Sequence, residues 1–123
     1  VYALDADLGR ALVDAAHGDL SDDTSLTSDR HACCVVLASR GYPAPDRDTG
    51  YPITGLDRAA EHDDTKVFHA GTTRRDGEFI NAGGRVLGVT GRGTTADQAR
   101  SRAYDAVADI DWDGMHFRRD IGE

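Results

Sequence analysis

The sequence predicts an α+β fold, a small antiparallel β-sheet with flanking helices. Three observations predict it. Apolar runs at residues 31–40, 66–72 and 85–91 have the length and content of strands. Asp76-Gly77, set between two such segments, is a turn that joins neighbouring strands antiparallel. Residues 4–18 and 94–110 instead repeat their apolar positions with the period of a helix.

Taken in order, Leu4, Leu8, Ala11, Leu12 and Ala15 form the stripe of the first helix. Asp5 and Asp7 fall in its first turn, where the helix dipole favours negative charge, and Gly18 is placed to end it in a left-handed cap. The polar stretch "DLSDDTSLTSDR" follows as a linker. "HACCVVLASR" is so nearly continuous in apolar residues that a central strand, buried on both faces, is expected. "GYPAPDRDTGYP" is an irregular loop, long enough to suggest a functional reason for keeping it. "TGLDRAAEH" reads as a short helix with Thr54 as N-cap. "KVFHAGT" and "EFINA" flank the hairpin turn, and "RVLGVTG" is the next strand. Thr95 with Gln98 makes a capping box ahead of a helix whose stripe is Ala99, Ala103, Ala106, Val107 and Ile110. There is no internal repeat and no low-complexity segment.

A chain of 123 residues supports one modest core, and 39% hydrophobic with 29% charged residues is the composition of a globular domain. No run is long and apolar enough to span a membrane. The formal charge of −8 excludes non-specific nucleic-acid binding, which needs a basic face. Glu61, Glu78 and Glu123 are the only glutamates and Lys66 is the only lysine, so the charge is carried by aspartate and arginine. Such a balance resembles the surfaces of salt-loving organisms; a GC-rich genome produces the same bias. Cys33 and Cys34 are adjacent, so in a strand they point to opposite faces and do not pair; free cysteines fit a reducing cytoplasm. The chain opens at Val1 without a methionine, giving the expectation of a fragment or processed piece of something longer.

The stretch "NAGGRVLGVTGRG" carries the most chemistry. It fits neither the dinucleotide-binding glycine pattern nor the P-loop. On one reading Gly83-Gly84 is a turn with positive φ, and Gly88 relieves packing. On the other, the glycines bring Arg85 and nearby N–H groups up to an anion, for which a planar guanidinium is well suited. His69 is read as a hydrogen-bonded strand histidine, since no second ligand stands at metal spacing. Alternation separates Cys34 from His31 and Cys33, which discounts a metal there. Arg118 and Arg119 beside Asp120 read either as a salt-linked surface tail or as residues that close the domain onto another part of the protein, and Arg74-Arg75 beside the hairpin turn read as solvated. No nucleophile–base arrangement and no pair of carboxylates stands out, so no catalytic residue and no metal site are assigned.

Five motifs, "CCVVLASRGYP", "PITGLDRAA", "KVFHAGT", "GGRVLGVT" and "DGMHFRRDIG", occur in the order and at the approximate spacing seen in phosphoribosylamine–glycine ligases of the ATP-grasp superfamily. The chain resembles their C-terminal part: residues 1–20 the last helix of the ATP-grasp domain, 21–29 a linker, and 30–123 the C-terminal domain. The resemblance implies an enzyme of purine biosynthesis. It activates glycine as an acyl phosphate with ATP and magnesium and transfers it to the amine of phosphoribosylamine. The ATP and metal ligands are expected in a preceding segment, so none is expected to bind this chain alone, and its partner is the remainder of the ligase. With that substrate implied, the stretch "NAGGR" and the substrate's charge suggest that Arg85 binds the 5-phosphate of phosphoribosylamine, with Gly83 and Gly84 allowing close approach and Asn81 and Lys66 as weaker neighbours. A cytoplasmic location follows, with no membrane and no nucleic acid as partner. Two alternatives stay open: a stand-alone interaction or regulatory module that kept the fold and lost the chemistry, and a small-metabolite binder on its own, resting on Arg85 and the loop from Gly41 to Pro52. The leucine stripe of the first helix also offers a face for a homo-oligomer.

Overall fold

The structure, a computed structural model, describes residues 2–21, 24, 26 and 28–123. Residues 22, 23, 25 and 27 of the expected linker lie outside the described residues. The elements run α1 (Leu8–His17), β1 (His31–Ala38), α2 (Leu56–Ala60), β2 (Thr65–His69), β3 (Thr72–Arg75), β4 (Glu78–Asn81), β5 (Arg85–Gly93) and α3 (Ala96–Val107). The α+β expectation holds, with the strands divided between two antiparallel sheets: β1-β5-β2, and the hairpin β3-β4.

Local chemistry sets most boundaries. The Asp7 carboxylate accepts from the Arg10 N–H and so caps α1, which begins at Leu8 rather than at residue 4. Gly18 closes it at φ 78°, as expected. Asp76 and Gly77 both take positive φ, 52° and 89°, the geometry of a two-residue hairpin turn. Thr95 caps α3 by accepting from the Gln98 N–H, while the Gln98 amide oxygen accepts from the N–H of Thr94, one residue before the cap. Thr54 does not cap α2. Its hydroxyl donates to the Asp111 carbonyl, and Gly55 at φ 79° takes the cap position.

Two strand expectations are corrected. The segment 66–72 is not one strand: β2 ends at His69, and β3 starts at Thr72 in the other sheet. The turn between them needs glycine, because a Cβ on Gly71 would lie 2.6 Å from the Arg85 carbonyl oxygen. Nor is β1 a central strand buried on both faces. It lies at a sheet edge and pairs only with β5, which occupies the centre. Val35 and Leu37 face α3 and are fully buried, whereas Cys34 and Val36 face outward, Val36 43% exposed. Only one face is covered because α3 packs on one side alone. β1 ends at Ala38, not Arg40, where its register against β5 shifts and Ala38 bridges to His116.

The packing of α3 explains the glycines at the end of β5. A Cβ on Gly91 would stand 2.3 Å from the Ala99 carbonyl oxygen and 2.6 Å from the Ala103 nitrogen. Glycine on the strand and alanine on the helix let the two backbones approach more closely than ordinary side chains permit. The core around this contact includes Val35, Leu37, Val89, Ala103, Val107 and Trp112.

Asp64, at φ 53° just before β2, ties several of these pieces together. Its carboxylate accepts from Arg92 on β5, Arg102 on α3 and Arg30 ahead of β1, at 3.2, 2.8 and 3.1 Å. The hydrogen bond from Arg92, helped by the charges of Arg102 and Arg30, holds this carboxyl below the usual aspartate range.

Candidate functional site

Arg85 opens β5, and its side chain is exposed with no carboxylate partner among the described residues. It lines a cleft of about 480 Å³ on the face of the three-stranded sheet turned away from α3. Val36, Phe68 and Gly88, adjacent across three strands in register, form an apolar floor. Tyr42 and Arg47, from the loop after β1, form a wall. Among the described residues, no carboxylate lines the cleft.

The glycine pair acts through close approach rather than through turn geometry. Neither Gly83 nor Gly84 has positive φ, so the turn expectation is corrected. A Cβ on Gly84 would lie 2.4 Å from Tyr42 Cδ2 and 3.2 Å from Arg47 Cδ. Any side chain there would push the loop off the strand and close the gap next to Arg85. Gly83 sits behind, its carbonyl accepting from the Ser39 hydroxyl at 2.8 Å.

Asn81 is brought near the cleft but beneath it. It is fully buried, and every polar function of its amide is engaged. Its oxygen accepts from the Tyr51 N–H at 2.7 Å, and its nitrogen donates to the Ser39 hydroxyl at 2.8 Å and to the Asp48 carbonyl at 2.9 Å. It fastens the loop that carries Tyr42 and Arg47. Lys66 is not brought to this cleft. It pairs with Thr90, five residues along β5 from Arg85, or roughly 16 Å at about 3.3 Å per residue. It lines a separate pocket of about 540 Å³ between α2, β2 and the hairpin.

The other singled-out residues take structural places. The His69 Nδ1 lies 3.0 Å from the Thr72 hydroxyl and its ring stacks on Phe79 at 4.3 Å, as read for a strand histidine. Arg118 donates to Asp120, and Arg74 lies over the Phe79 ring. Burial, with the neighbouring Cys34, pushes the Cys33 thiol up, so it stays protonated at neutral pH. Among the described residues, no three His, Cys, Asp or Glu side chains gather to hold a metal ion. No helix among them is long and apolar enough to cross a membrane. Arg47 is the residue that sequence reasoning missed. It lies in an irregular loop that nonlocal hydrogen bonds, among them one from the buried Asn81 amide to the Asp48 carbonyl, hold beside Gly84.

Residues 32–123 match the family described as phosphoribosylglycinamide synthetase, C domain. The chain belongs to this family. It is 46% identical over 121 residues to the phosphoribosylamine–glycine ligase of Rhodopirellula baltica, covering 98% of the chain and 28% of that relative. It is 48% identical over 117 residues to the ligase of Streptomyces coelicolor, covering 93% of the chain and 28% of that relative. A crystal structure of phosphoribosylamine–glycine ligase from Thermotoga maritima superposes with a TM-score of 0.75 at 32% identity, over 90% of this chain and 26% of that one. The chain thus spans a little over a quarter of the length of the ligases it matches.

Proposed function

We propose that this chain serves as the C-terminal part of a phosphoribosylamine–glycine ligase, the purine-pathway enzyme that joins glycine to phosphoribosylamine with ATP. In this reading residues 1–20 are the last helix of the ATP-grasp domain, 21–29 a linker and 30–123 the C-terminal domain. The remainder of the ligase holds magnesium and ATP, which supply the energy for activating the glycine carboxylate. No part of that step is assigned to residues of this chain.

The chain's own contribution is to seat phosphoribosylamine. Arg85 donates to the 5-phosphate from the mouth of its cleft, and Gly84 leaves the backbone uncovered so that the phosphate can come close. Holding the phosphate end fixes the ribosyl amine relative to the activated glycine, and the floor of Val36, Phe68 and Gly88 keeps water away from one side of the sugar. The observation that supports this most is the unpaired Arg85 in a cleft without carboxylates among the described residues, in a chain with 22 acidic residues. The net charge of −8 opposes anion binding only weakly, because charges beyond about 8 Å are screened at physiological salt. The test is phosphoribosylamine saturation in the complete ligase with Arg85→Ala. The expected result is a KM raised about 10- to 100-fold, the loss of one charge-assisted hydrogen bond.

A further inference from the structure

The cleft holds a second cation. Eight arginines pair with carboxylates among the described residues, at positions 10, 30, 40, 58, 92, 100, 102 and 118. Arg47, like Arg85, has no such partner there. The only hydrogen bond its guanidinium makes among those residues is a long one, Nη1 to the Ala44 carbonyl at 3.4 Å. In an acidic chain, two arginines without carboxylate partners lining one cleft that itself holds no carboxylate form an arrangement that an anion relieves.

The position of Arg47 is built, not incidental. The next residue, Asp48, is held on both sides: its N–H donates to the Arg40 carbonyl at 3.0 Å, and its carbonyl accepts from the Asn81 amide at 2.9 Å. The Gly50 N–H donates to the Asn81 carbonyl at 2.8 Å, and the Tyr42 N–H to the Ser39 carbonyl at 3.1 Å. With the loop fixed, the Arg47 side chain lies across Gly84, its Cδ 3.2 Å from where a Cβ would stand. Arg85 follows directly in the chain and lines the same cleft, and a side chain at position 84 would displace Tyr42 and Arg47 from it.

We propose that Arg47 is the second half of a two-guanidinium clamp with Arg85, and that it makes the cleft selective for a phosphomonoester dianion. This rests on the reading that Arg85 binds the substrate phosphate. One guanidinium balances one negative charge. A phosphomonoester carries close to two at neutral pH and loses the second with a pKa near 6. Two guanidiniums without a carboxylate match the dianion and discriminate against the monoanion, a carboxylate or an unphosphorylated sugar. Arg47 is thus a binding and specificity residue, and Tyr42 the wall that confines the phosphate between the two cations.

The experiment is calorimetric titration of the complete ligase with ribose 5-phosphate between pH 5 and 8, for wild type, Arg85→Ala, Arg47→Ala and Arg47→Lys. Wild type is expected to lose affinity as the pH falls below about 6. Arg47→Ala is expected to bind about 10-fold or more weakly at pH 7.5 and to lose most of that pH dependence. Arg47→Lys should recover part of both. A weakening of Arg85→Ala while Arg47→Ala stays within twofold of wild type overturns the clamp and leaves the Arg85 reading standing. A weakened Arg47→Ala with an unchanged pH profile also overturns it, since loop packing alone then accounts for the loss. No effect of Arg85→Ala, or no binding by wild type at millimolar ribose 5-phosphate, removes both readings together.

Discussion

Asn81→Ala should loosen the loop that shapes the cleft, and its cost follows from the hydrogen bonds it removes. The wild-type amide is fully buried and makes three, to the Tyr51 N–H, the Ser39 hydroxyl and the Asp48 carbonyl. Each contributes about 0.5–1.5 kcal/mol net, and alanine leaves their partners without a replacement. The sum is about 1.5–4.5 kcal/mol, and water entering from the exposed loop would favour the middle of that range. A loss of about 3 kcal/mol corresponds to a fall in Tm on the order of 10 °C for a domain of this size. Urea and thermal unfolding followed by circular dichroism measure it. Asn81→Asp should be no milder although the shape is kept, because a carboxylate cannot donate to the Asp48 carbonyl and is itself buried. A loss below about 0.5 kcal/mol in both variants would refute the view that this amide holds the loop.

Other outcomes follow from the same packing and charges. Gly91→Ala should destabilise strongly, by about 3 kcal/mol or more, because the new methyl meets the backbone of α3 on two sides. Gly88→Ala, whose Cβ would lie 3.4 Å from the Cys34 sulfur, should cost much less, and denaturation midpoints compare the two. The folded Asp64 carboxyl titrates below its unfolded value of about 3.9, so its ion pairs stabilise the fold fully above that pH and are lost as pH falls through the folded value. Unfolding of wild type and Asp64→Asn between pH 2 and 6 should therefore show a gap in stability that is full at the upper end and closes below about pH 4. A gap that widens toward low pH would contradict the direction of that shift.

Features set by neighbours along the chain are legible in the sequence: the Asp76-Gly77 hairpin, the Thr95 cap and the Gly18 terminus. Their chemistry is complete within a few residues. Features set by distant pairing are not. Nothing in "HACCVVLASR" says that α3 covers one face of β1 alone, so an apolar run reads as buried on both sides. The break at Gly71 depends on the Arg85 carbonyl, which the sequence does not bring near. Gly83-Gly84 is legible as a close approach, but the partner, the Tyr42–Arg47 wall, depends on the Asn81 amide folding a loop back over the strand. The same nonlocal bond hides Arg47, and it places Asn81 under the cleft as a fastener.

The most direct measurement is steady-state kinetics of the complete ligase carrying Arg85→Ala, with phosphoribosylamine varied at saturating glycine and ATP. If the guanidinium at the head of β5 grips the sugar phosphate, the KM for phosphoribosylamine rises about 10- to 100-fold while those for glycine and ATP stay near wild type. An unaltered KM and turnover for phosphoribosylamine would show that the phosphate is bound elsewhere.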